Sequence, residues 1–159
     1  ESGQLFHSNG STPLTPTKIV LHDSDHKAMM LGEGGQLSYY DLVTMKIVEE
    51  YVLQVLRVGA EGVEDVCPEK KLAELGSYST FLGLTEKGVH RLDPRLGGKA
   101  FQQGNFDYKR QKRFTHITTT TAGEIAIGSS DGEIRLYPND TKPNATVKYT
   151  ELGNSVLHL

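Results

Sequence analysis

Short apolar runs in which hydrophobic and polar residues alternate recur along the chain, each closed by a turn rich in glycine, aspartate or asparagine. Period-two alternation gives a strand two distinct faces, so the pattern predicts a mostly-β chain. Lys18-Ile19-Val20-Leu21 opens the series, and Lys27-Ala28-Met29-Met30-Leu31 resumes it after a His22-Asp23-Ser24-Asp25 turn. Glu33-Gly34-Gly35 supplies the positive φ of a tight hairpin. Leu37-Ser38-Tyr39-Tyr40-Asp41 and Lys46-Ile47-Val48-Glu49-Glu50-Tyr51 then complete a four-stranded meander. A second unit starts near Gly62-Val63-Glu64-Asp65-Val66 and continues, after a connection over residues 67–79, with strands at 80–84 and 89–92. Its fourth strand is obscured by Leu96-Gly97-Gly98-Lys99 and Gly104. A third unit has strands at 114–118, 124–128, 134–137 and 145–147, with Asp131-Gly132 as its hairpin signal. Residues 155–159 read as the first strand of a fourth unit. Helix signals are weak: β-branched content assigns 51–57 to strand, and 68–75 hold at most one helical turn.

The turns reveal a repeat. Gly88-Val89-His90-Arg91-Leu92-Asp93-Pro94 and Gly132-Glu133-Ile134-Arg135-Leu136-Tyr137-Pro138 both read G-x-x-R-L-x-P, 44 positions apart by their glycines (132 − 88). A looser copy begins at Gly35. A strand-rich unit recurring every ~40–50 residues is the mark of a propeller blade. The expected fold class is therefore all-β, a partial β-propeller of about three four-stranded blades plus the start of another. The domain reading is an irregular lead-in over residues 1–16 and a propeller piece over 17–159, with blades at about 17–56, 62–105 and 113–150. A propeller closes with about 4–8 blades, so the chain is expected to be a piece of a larger protein, partnered by the remaining blades. Its two raw edges favour aggregation when it is expressed alone.

Within the repeat, Leu37 and Tyr39, His90 and Leu92, and Ile134 and Leu136 hold equivalent alternating positions and are expected to form one inter-blade face. Arg91 and Arg135 fall on the opposite face, in phase, where each can pair with a carboxylate. Asp93-Pro94 should end its strand, because Asp bonds local amides and Pro cannot donate to a ladder.

Composition changes this picture little. A net charge of −3 argues against a chain built as a whole to coat nucleic acid or anionic membrane. No apolar run approaches a membrane span, and no signal peptide or initiator Met is visible. The single cysteine, Cys67, excludes an internal disulfide and suits a reducing compartment. It precedes Pro68 with no feature to activate it, and no nucleophile elbow or phosphate loop is present.

Several segments carry candidate chemistry. His22-Asp23-Ser24-Asp25-His26 holds metal-ligating types, but its place between strands favours a solvated turn. Lys109-Arg110-Gln111-Lys112-Arg113, near Phe106, Tyr108 and Phe114, is a basic run suited to nucleic acid or nuclear import, or simply a solvated loop. Sequons begin at Asn9, Asn139 and Asn144, as they readily do in polar loops. His90 and His116 fall in strands, where packed histidines are the rule. No catalytic, cofactor, metal or protein-binding residue is therefore assigned.

The motifs also resemble a known family. Thr80-Phe81-Leu82-Gly83-Leu84-Thr85, followed by Val89-His90-Arg91-Leu92-Asp93-Pro94-Arg95-Leu96-Gly97-Gly98, resembles the C-terminal domain of the vacuolar import and degradation protein 27 family. Leu21-His22-Asp23, Val48-Glu49-Glu50 and the hairpin Gly128-Ser129-Ser130-Asp131-Gly132-Glu133-Ile134-Arg135-Leu136-Tyr137 are similar in order. The segments 54–61 and 106–113 depart from the pattern. The resemblance implies a WD-repeat-like propeller in a eukaryotic, mainly cytoplasmic protein. It places the chain in vacuolar import and degradation of cytosolic proteins; with the motif reading above, the expectation is a non-enzymatic protein-interaction scaffold with other proteins as partners, no cofactor and no membrane span. The alternative is a nuclear or nucleic-acid-associated regulator that uses the basic run.

Overall fold

The computed structural model describes residues 3–22, 26–51, 53–55, 59–71, 80–99, 106–107, 113–139, 143–150 and 156. They form three four-stranded antiparallel sheets and one two-stranded sheet, divided between two compact units, Glu1–Gly62 and Val63–Leu159. The expected fourth-unit strand at 155–159 lies outside the described residues except for Val156, whose N–H donates to the Ser129 carbonyl.

In the first unit, β1 (Pro16–His22), β2 (Lys27–Gly32), β3 (Leu37–Asp41) and β4 (Lys46–Tyr51) pair in chain order. Met29 opposes Tyr39 and Leu31 opposes Leu37 on one face, while Ala28 opposes Tyr40 and Met30 opposes Ser38 on the other. All eight are buried, so both faces of the inner strands are covered. One cover is the lead-in. The Leu14 amide bonds to the Leu5 carbonyl, and Leu14 packs against Ala28, Met30 and Tyr40. Glu50 on β4 clasps the lead-in turn through the His7 imidazole, the Ser8 amide and the Ser8 hydroxyl. Residues 3–15 hold no strand beyond the isolated Phe6–Pro13 bridge, and they pack as a strap on the first sheet. The strap leaves Ile19 and Leu21 of β1 54% and 56% exposed. The hairpin β5 (Leu53–Val55) and β6 (Gly59–Glu61) follows.

In the second unit, β7 (Asp65–Pro68), β8 (Phe81–Leu84), β9 (Gly88–Leu92) and β10 (Phe106–Asp107) make one sheet. The obscured fourth strand is β10, pairing Phe106 with Val89 and Asp107 with Gly88. Lys70 and Lys71 are helical, and the rest of the 68–75 segment past Lys71 lies outside the described residues. A third sheet comprises β11 (Phe114–Thr119), β12 (Ile125–Ser129), β13 (Ile134–Tyr137) and β14 (Val147–Tyr149). Gly132 sits at φ 80° in its β12–β13 turn, a left-handed value that a side chain would resist.

The expected core face holds in the first two sheets, where Leu37, Tyr39, His90 and Leu92 are buried. In the third it is reversed. Ile134 and Leu136 are half-buried, whereas Arg135 and Tyr137 are 6% and 1% exposed. The reason is packing. Ile125, Ile127 and Tyr137 join Cys67, Leu82, Leu84 and Val89 in one core, and Arg135 directly opposes Ile127 on that face. Arg135 is tolerated there by an ion pair with Glu133 and a stack on Phe114, 4.9 Å from the ring centre.

Phe81 is fully buried in β8, so Phe81→Ala should destabilise the unit by about 3–5 kcal/mol. Val43, exposed in a turn, should tolerate alanine within about 0.5 kcal/mol. Urea denaturation of the two variants checks this contrast.

Candidate functional site between the second and third sheets

β7 and β11 lie edge to edge, joined by side chains in place of a continuous ladder. Asp65 accepts its neighbour's amide, Val66 N–H, at 2.8 Å through one oxygen and Ile117 N–H at 2.9 Å through the other. His116 Nδ1 stands 3.5 Å from the second oxygen. Two residues past Ile117, the Thr119 hydroxyl donates to the Pro68 carbonyl at 2.7 Å and accepts the Lys70 amide at 3.2 Å. These bonds set the end of β7 against the β11–β12 turn.

Past that seam the sheets part around a cavity of about 200 Å³. Leu82 and Ile125, both buried, supply its apolar surface. Cys67, Leu82 and Arg91 are directly opposed across β7, β8 and β9 and so share a face. From that face Arg91 grips Glu69 with two parallel bonds, Nε to Oε2 at 2.9 Å and Nη2 to Oε1 at 2.7 Å. This fork fixes the guanidinium plane at the cavity. Thr119, Gly123 and Asn139 line the side formed by the third sheet. A Cβ at Gly123 would meet Lys71 Cδ at 2.6 Å, so the glycine lets the turn close over the lysine stem. Lys70 and Lys71 are exposed at the edge, and no ion pair engages either among the described residues. The cavity carries a formal surplus of two positive charges, from Lys70, Lys71 and Arg91 against Glu69. It is smaller than the roughly 300–1,000 Å³ of small-molecule pockets and suits an object of side-chain size.

The two repeat arginines use different partners. Arg91 reaches across β8 to Glu69, and Arg135 pairs with Glu133 two residues before it. Burial works to lower the Arg135 pKa, but hydrogen bonds to Glu133 and Tyr137 outweigh it and the net shift is upward. Burial also raises the Tyr137 pKa. Asp93 follows β9 as the sequence implied: it accepts the Arg95 amide at 3.0 Å and the Arg95 guanidinium at 2.9 and 2.7 Å. Those bonds, the Arg95 side chain first, hold its carboxyl below the usual range despite burial.

Other sequence candidates are scattered. His22 Nδ1 lies 2.8 Å from the Tyr39 hydroxyl, His26 is exposed, and 23–25 lie outside the described residues. Among the described residues no three His, Cys, Asp or Glu converge to hold a metal. Of the basic run only Arg113 is described, and its carbonyl accepts the Ser130 amide. Asn9 accepts the Ser11 and Thr12 amides in its turn, Asn139 lines the cavity and Asn144 is exposed. Cys67 is buried in β7, and His90 is buried 3.4 Å from the Thr85 hydroxyl. No helix among the described residues is long and apolar enough to cross a membrane. Sequence reasoning missed Glu69, Lys70 and Lys71 and read Asn139 only as a sequon; the run Pro68-Glu69-Lys70-Lys71 straight after a strand was the signal on offer.

Four-stranded antiparallel meanders repeated along the chain, the second and third meeting along β7 and β11, define blades of a partial β-propeller. The particular family is equally plain: residues 4–159 match the VID27 C-terminal WD40-like domain, and the chain belongs to that family. It is similar to vacuolar import and degradation protein 27 of Saccharomyces cerevisiae, with 32% identity over 133 residues, 80% of this chain and 16% of that protein. It is also similar to the protein of the same name in Schizosaccharomyces pombe, with 30% identity over 172 aligned positions, 99% of this chain and 20% of that protein. The chain therefore spans a fifth or less of the length of these relatives.

Two outcomes follow. Glu69→Gln keeps the shape but removes the charge from the fork, and should cost about 1–3 kcal/mol in thermal or urea unfolding. Asp93, with a depressed pKa when folded, contributes stability above the ordinary aspartate value that is lost as pH falls through the folded value. Asp93→Asn should therefore flatten the stability–pH curve on its acid side, measured by urea midpoints across that range.

Proposed function

We propose that this chain is part of a non-enzymatic protein-interaction scaffold that serves vacuolar import and degradation of cytosolic proteins from the cytoplasm. The observation that carries the reading is the family match across almost the whole chain, joined to relatives named for that process. The mechanism is geometric: stacked blades hold loops and inter-blade clefts at fixed positions, and a protein partner docks there. The chemistry of the second unit supports it. The cavity's carboxylate, Glu69, is engaged on Arg91, and elsewhere in the unit Asp65 is engaged on backbone amides and Asp93 on Arg95.

The test is affinity capture with mass spectrometry on the parent protein and on a version lacking residues 17–159. Proteins of degradative or vacuolar-targeting machinery should be recovered by the first and lost with the second. Recovery of mainly RNA-binding or nuclear proteins, lost on charge reversal of Lys109, Arg110, Lys112 and Arg113, would move the function to the nucleus.

A further inference from the structure

We propose that the cavity between the second and third sheets is a docking site for a glutamate or aspartate side chain carried on an extended segment of a partner protein. The proposal rests on the scaffold reading and gives it an address. Charge is the first argument. The chain is net negative, yet this cavity concentrates two more positive than negative charges. Such a local reversal draws an acidic segment. Size and polarity are the second. About 200 Å³ floored by Leu82 and Ile125 accommodates the methylenes of one acidic side chain, with its carboxylate toward the Lys70 and Lys71 ammonium groups.

Preorganisation is the third argument. Glu69 fixes the Arg91 guanidinium, Thr119 fixes the backbone at Lys70, and the turn at Gly123 lies against the Lys71 stem. With the Arg91 guanidinium, the Lys70 backbone and the Lys71 stem already placed, only the two ammonium ends are left to order on binding. The same geometry favours a carboxylate over a phosphate. Glu69 lines the cavity and repels a dianion more than a monoanion, and its two bonds to Arg91 occupy the fork that would grip phosphate.

The experiment uses the parent protein and short degenerate peptides fixed at one central position as glutamate, glutamine or phosphoserine. The glutamate pool should bind at least about tenfold more tightly than the glutamine pool. The double substitution K70E/K71E, at two exposed positions, should abolish that preference and leave the thermal transition in place. Equal binding of the glutamate and glutamine pools overturns the proposal, as does a preference that survives K70E/K71E. Selection of phosphoserine over glutamate overturns the carboxylate assignment. The scaffold reading fails separately, if deletion of residues 17–159 leaves the captured partners unchanged.

Discussion

The carboxylate of Asp65 is the joint between the second and third sheets. It is 2% exposed and accepts one amide from each side of the seam, Val66 and Ile117. A blade of four short strands cannot bury enough surface by itself, so its stability comes from the neighbour stacked on it. The charge-assisted bond from Ile117 fixes the height at which the two sheets meet. That height in turn decides which residues of β11 and β12 reach Cys67, Leu82 and Leu84, and it opens the cavity at the far end.

Burial from both sides also explains how charge is distributed. Arg91 and Arg135 occupy the same position of the repeat, and each sits on a face turned toward protein. Each brings a carboxylate, because an arginine taken from water without one would be costly. The partners differ because the surroundings differ. Glu69 stands at the end of β7 beside a cleft, so Arg91 remains partly exposed there. Beneath Arg135 lies Phe114, and the local Glu133 completes an enclosed pair. One repeat position thus gives a cavity wall in one blade and core packing in the next.

Much of this was legible from alternation and turns. Strands β1 to β4 and the β12–β13 hairpin follow from apolar periodicity and glycine placement. The strap at 3–15 was not, since Leu5-Phe6 and Leu14 stand apart among polar residues with no alternation, and their packing against Ala28, Met30 and Tyr40 appears only in three dimensions. β10 escaped because its ladder is two residues long, beyond a glycine-rich turn. The reversed face of β13 escaped because alternation shows that faces differ, while the neighbouring sheet decides which is covered. The cavity was invisible for another reason: Glu69, Leu82, Thr119 and Asn139 are far apart in the chain and meet only through stacking.

At the seam, the Thr119 side chain does the work of a peptide group. Its hydroxyl donates to the Pro68 carbonyl and accepts the Lys70 amide, so one oxygen stands in for both the N–H and the C=O of an absent strand residue. β7 can stop at Pro68 without leaving bare polar backbone at the cavity mouth. Serine could play the same two parts. Valine, the same shape without the hydroxyl, would strand a donor and an acceptor together, and the backbone that presents Lys70 would lose its anchor.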